Sequence, residues 1–177
     1  MYKIHDVLVY KRDVCKVVGK QKSPLNGEMC YVLVPYYQDD GSIKMQVPVS
    51  NQSGNIRDIL TKKEIDKLIK ETPDIESLPS KPANMKSQYA TLLKGNEITD
   101  LITIMKTSYG RNKVRLDQNK KSASVDEEYL QKAEKYLFEE MAVALGKSVE
   151  DAKKYFEKAV AKASTTKKPA KKTAKKK

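Results

Sequence analysis

The chain has no tryptophan, one histidine, two cysteines and two phenylalanines among its 177 residues. Each shortage removes a class of chemistry. Cys15 and Cys30 lie in separate strand-like runs, without Cys-x-x-Cys spacing and without a nearby histidine, so neither points to a metal site. Both are expected as reduced packing residues. A nucleophile needs a base beside it, and the single histidine, His5, sits in "KIHDVLVY" ahead of the first strand, where an exposed turn is the expectation. Phosphate loops are missing too: "GKQKSP" and "LGKSVED" lack the upstream glycine of that motif. "DDG" at 39–41 is followed by none of the acids a calcium loop requires. The acidic pairs Glu127–Glu128 and Glu139–Glu140 fall at adjacent helical positions, which do not face one another. An enzyme is therefore not expected, nor a cofactor or a metal. No apolar run approaches the roughly 18 residues of a membrane span, and "MYKIHDVLVYKRD" lacks the apolar core and cleavage site of a signal peptide. The expectation is a cytoplasmic protein.

What the chain does have is positive charge, +12 in all, and its placement is uneven. Residues 1–80 carry 12 basic and 11 acidic side chains, residues 81–163 carry 16 and 12, and residues 164–177 carry seven lysines and no acid. Within the middle part, "TIMKTSYGRNKVRLDQNKKSA" at 103–123 sets Lys106, Arg111, Lys113, Arg115, Lys120 and Lys121 against Asp117 alone. Read with Gly110, Asn112 and Asn119 as breakers, this segment is either a basic loop that meets a phosphate backbone or a solvated connector. The tail "STTKKPAKKTAKKK" has no apolar group larger than alanine and is expected to be disordered when free.

Hydrophobic periodicity divides the chain. Residues 7–58 alternate with period two in Val-, Ile- and Tyr-rich runs punctuated by "SPLNGE" and "QDDGS", which predicts a small curled antiparallel sheet or barrel. "LTKKEIDKLIKE" then opens with Thr61 and Glu64 in capping-box spacing. Residues 72–84 hold three of the seven prolines and no periodicity, the composition of a semi-rigid linker. Beyond it, Met85–Tyr89–Leu92–Leu93, Ile98–Leu101–Ile102–Met105, Leu130–Ala133–Leu137–Met141–Leu145 and Val149–Ala152–Phe156–Ala159–Val160 form four helical stripes. Ser124 and Glu127 suggest a second capping box, and Gly146 a helix stop. The expected architecture is α+β: a β domain at 1–71, a linker at 72–84, a helical domain at 85–163 and a basic tail at 164–177.

Several phrases, in order over roughly residues 1–160, resemble the CarD/CdnL family of bacterial transcription regulators. "DVLVY" is similar to the family's opening "G-D-x-V-V-Y", "GEMCYVLVPYYQDDGSIKMQVPVSN" to its hairpin and "V-P-x-x-N" section, and "NIRDIL" to its "G-V-R" section. "NMKSQYATLLKGN" and "LQKAEKYLFEEMAVAL" resemble its helical domain. The resemblance implies a Tudor-like N-terminal barrel that binds the β subunit of RNA polymerase by extending a sheet edge. The positions carried over are Lys20, Lys22, Lys44, Met45, Gln46 and Val47. Gln46 stands where a basic residue is common, and Lys44 is a candidate substitute. The helical domain is implied to hold promoter DNA at the upstream edge of the transcription bubble, largely without regard to sequence, and to modulate open-complex stability. The family's tryptophan wedge falls where "MKSQY" places Met85, so Met85 is either the wedge or a core residue beside Tyr89. Lys86, Arg111, Lys113 and Arg115, with Lys167, Lys168, Lys171 and Lys172 of the tail, are the candidate phosphate contacts. A nucleoid-associated, monomeric regulator follows. The alternative is a DNA-coating protein driven by the tail.

Overall fold

The computed structural model describes residues 1–38, 40–79 and 82–166. Among them are five antiparallel strands followed by five α-helices, an α+β architecture. The strands are β1 (Val7–Tyr10), β2 (Asp13–Lys22), β3 (Met29–Pro35), β4 (Met45–Pro48) and β5 (Ile56–Arg57), in the order β4-β3-β2-β1-β5. That order leaves β4 and β5 as edges, so the sheet is open and the expected closure into a barrel is absent. The turns fall where small and polar residues permit them. Gly27 takes φ +70 in the β2–β3 turn and Gly41 takes φ +74 after Asp40, whose carboxylate accepts from Ser42 N. A bulge between Val17 and Gly19 interrupts the β2–β3 register and bends the sheet over its own core. Leu8, Cys15, Val17, Tyr31, Leu33, Val47 and Ile56 fill that core. Cys15 and Cys30 are free thiols, both buried, and burial pushes Cys15 up to about 12. His5 is an exposed turn residue in the left-handed region, at φ 77.

The helices are α1 (Lys62–Glu71), α2 (Met85–Lys94), α3 (Ile98–Asp117), α4 (Ser124–Leu145) and α5 (Val149–Thr166). Thr61 and Glu64 close the expected capping box on α1. Gly146 ends α4 in the left-handed conformation, at φ 61. Ser124 does not cap α4. Glu127 instead accepts from Ser122, while the Oδ1 of Asn112 accepts from Ala123 N and ties the start of α4 to α3. A second core runs from Ile65, Leu68 and Ile69 of α1 through Met85, Tyr89, Leu101 and Ile104 to Phe138, Met141 and Phe156. Full burial of each such side chain stabilises by about 1.5–3 kcal/mol. α1 was expected with the sheet, yet its apolar face lies in the helical core. The divide between the cores therefore falls before residue 60 rather than at 72–84.

Two arginines lock sheet to helices. Arg12, in the β1–β2 turn and only 5 % exposed, donates to the carbonyls of Leu92 and Glu97 at 3.1 and 2.9 Å and pairs with Asp100 at 3.7 Å. Leu92 belongs to the last turn of α2, where its carbonyl also accepts from Gly95 N at 3.2 Å, and a cation there adds a second donor and complements the helix dipole. Gly95 keeps the site open, since a Cβ there would lie 2.6 Å from Asp100 Oδ2. Arg57 forks onto the buried Glu140 at 2.5 and 2.8 Å, and Leu60 N donates to the same carboxylate at 3.0 Å. The expected linker is strapped down as well. Lys106 Nζ on α3 donates to the carbonyls of Thr72 and Ile75 at 2.8 and 2.6 Å, and Leu78 N donates to Thr107 Oγ1 at 2.9 Å.

Candidate docking edge and cationic surface

Among the described residues, β4 pairs only with β3, matching Met45 to Leu33, Gln46 to Val32, Val47 to Tyr31 and Pro48 to Cys30. Just beyond, Val49 N donates to Met29 O at 2.9 Å, which marks a hydrogen-bonded pair. Such pairs alternate along an antiparallel ladder, so Val47 and Met45 bond towards β3 while the N–H and C=O of Gln46 point outward. Their side chains alternate too: Val47 is buried, Met45 half-buried, and Gln46 and Pro48 exposed. Pro48 has no N–H to offer, and the outward edge is thus a short window centred on Gln46. Lys44 lies just ahead of β4 and is exposed.

Lys20 and Lys22 do not join this edge. Both are on β2, two strands away, paired to Tyr31 and Met29. Lys20 Nζ stands 5.2 Å over the Tyr31 ring, on the core face of the sheet, while Gln46 faces the other way. A cavity of about 160 Å³ closes the end of the β4 window, between the sheet and α4, with Ile43, Met45, Asp13 and Glu139 among its walls. Burial raises both carboxyls above their ordinary range, and neither forms an ion pair within the described residues. Asp13 was invisible as a site residue because its partner surface is supplied by α4, more than a hundred residues later.

On the helical side, Met85 is 2 % exposed and packs in the core with Tyr89. It is a core residue and not a wedge, since the helix start that carries it is folded inward. Tyr89 donates to Asp126 Oδ1 at 2.7 Å, and Arg111 Nε lies 3.1 Å from both oxygens of the same carboxylate. Burial first, and then this bond, raise the Tyr89 hydroxyl. Arg111 is thereby committed to a buried acid, which corrects its assignment as a free phosphate contact. The basic segment is not a loop either, because α3 runs unbroken through Gly110 and Asn112 to Asp117. At 100° per residue this sets Arg111 and Arg115 on one flank and Lys113 on the opposite one, beside Tyr109 and Leu116. Tyr109 and Leu116 are 64 % and 60 % exposed. Arg115 Nε donates to Lys121 O at 2.8 Å. Lys86 is exposed on α2, close enough to Glu128 to lower that carboxyl slightly, behind the stronger effect of Lys132. Among the described residues, the cations of this surface not tied to a backbone carbonyl or a buried acid are Lys86, Lys113, Lys121 and Lys120, whose Nζ donates to Gln118 Oε1 at 3.0 Å. Lys167, Lys168, Lys171 and Lys172 lie outside the described residues.

Among the described residues, no group of His, Cys, Asp and Glu is arranged to hold a metal ion, and no helix is long and apolar enough to cross a membrane. Compared with known proteins, the chain matches no family model and no curated protein.

Proposed function

We propose that the chain is a non-enzymatic transcription regulator of the CarD/CdnL kind, docking on the β subunit of RNA polymerase through β4 and holding promoter DNA with its cationic helical surface. The observation that carries this reading is the outward backbone of Gln46 on an unpaired edge. Main-chain hydrogen bonds from such an edge supply affinity without a deep pocket. The near balance of charge in residues 1–80 suits a protein partner, and the basic excess behind it suits a polyanion. The bent five-stranded sheet is the Tudor-like module of this reading. Met85 takes no part; Lys86, Lys113, Lys120, Lys121 and the tail lysines hold phosphates, and stabilisation of melted DNA comes from cations rather than from an inserted side chain.

The test is Gln46→Pro in the full chain. Proline at an outward position removes the N–H the partner needs and leaves the bonds of Met45 and Val47 to β3 in place. Retention of purified β subunit at high salt is expected to fall sharply while the melting temperature stays within a few degrees. Unchanged retention, or none by the native chain, overturns the docking assignment. The tail-driven DNA-coating reading then leads, and it requires that deletion of residues 164–177 abolish DNA binding.

A further inference from the structure

Nothing packed around Gly110 requires a glycine. It lies inside α3, where glycine costs about 1 kcal/mol relative to alanine. Its φ is not positive, and a Cβ built on it would meet no described atom within 4 Å. Without a side chain, Gly110 leaves open a groove of about 380 Å³ between α3 and the strapped segment that follows α1. Leu78 and Val114 form aliphatic walls, with Val114 left 55 % exposed in spite of its position at the opening. Lys106, Arg111 and Arg115 stand around it, and no acid lines it among the described residues.

We infer that this groove is a second docking site, distinct from the β4 edge, for an acidic segment of a partner protein that anchors an aliphatic side chain over Gly110. Charge complementarity selects the anion: no acid lines the groove among the described residues, Arg111 is already paired with Asp126, and the cations left to a ligand are Lys106 and Arg115, each held in place by its own bond. Lys106 is fixed on carbonyls, Arg111 on Asp126 and Arg115 on Lys121 O. Fixed cations around an apolar slot match carboxylates flanking a leucine. The lining favours peptide over nucleic acid, because sites for unpaired bases stack them on aromatic rings and no aromatic residue lines this groove.

The test uses the full chain and a short fluorescent peptide of glutamates interrupted by leucines, with its serine-for-leucine counterpart and single-stranded oligothymidylate as the other probes. Gly110→Leu fills the slot, and Val114→Glu opposes the ligand's charge from an exposed position; Gly110→Ala isolates the effect on the helix alone. The leucine peptide is expected to bind and the serine peptide to bind at least about tenfold more weakly, the value of one buried leucine. Gly110→Leu and Val114→Glu are each expected to weaken the leucine peptide by about the same factor. Gly110→Ala is expected to raise the melting temperature by about 2–4 °C, and circular dichroism to show all three variants folded. Equal binding of both peptides, no binding of either, or native affinity in both blocking variants overturns the inference. So does loss of oligothymidylate binding alone in Gly110→Leu, which would make the groove a nucleic-acid site.

Discussion

At the scale of single residues, the charges inside this protein divide into those with partners and those without. Asp126 and Glu140, each about 1 % exposed, hold an arginine and at least one further donor. Burying a carboxylate is tolerable only on such terms. Asp13 and Glu139 have no such partner, and desolvation lifts both carboxyls. The groups facing them are Lys135, which pulls both down, and Tyr136 and Tyr37. A folded-state value above the ordinary one of about 3.9 means that the folded chain binds the proton more tightly, so stability is lost as pH rises through that raised value. Asp13→Asn carries no such penalty. Its melting temperature is expected to exceed that of the native chain at pH 7, and the difference to vanish below the unfolded carboxylate range; a gain that is constant with pH would refute the assignment.

At the scale of elements, α3 is where the sequence misled. Gly110, Asn112 and Asn119 read as breakers, yet only Asn119, at φ 56, leaves the helix. Asn112 stays helical because its side chain is occupied by Ala123 N rather than by its own backbone, a contact that local composition does not reveal. Where capping and periodicity are local, as in α1 with Thr61 and Glu64 or the stop at Gly146, the sequence was sufficient. The strap after α1 shows the opposite case: its prolines promise a semi-rigid linker, while one amine on α3 gathers its carbonyls. Lys106→Met keeps the stem and removes those bonds, which are worth about 1.5–3 kcal/mol each with a charged donor. Amide hydrogen exchange across residues 75–79 is expected to quicken by roughly tenfold or more, with α3 itself unaffected; unchanged exchange would mean the prolines alone hold the strap.

At the scale of the whole molecule, two cores act as one body because Arg12 and Arg57 cross between them. Neither crossing is visible in sequence, since the arginines lie in the β half and their acceptors 80 or more residues on. The native chain is expected to unfold in one calorimetric transition. Arg12→Ala strips the end of α2 and Asp100 of their cation, at a cost of about 3 kcal/mol, and is expected to split that transition into two. A single transition at lower temperature would show that Arg57 and Glu140 suffice. The two thiols bear on how such questions can be approached. Both are enclosed within the sheet's half of the molecule, and the more deeply buried of them ionises only near pH 12. Burial keeps both thiols from reagents in the folded chain, so a cysteine introduced at an exposed position is expected to label far ahead of the native pair with a dye or spin label.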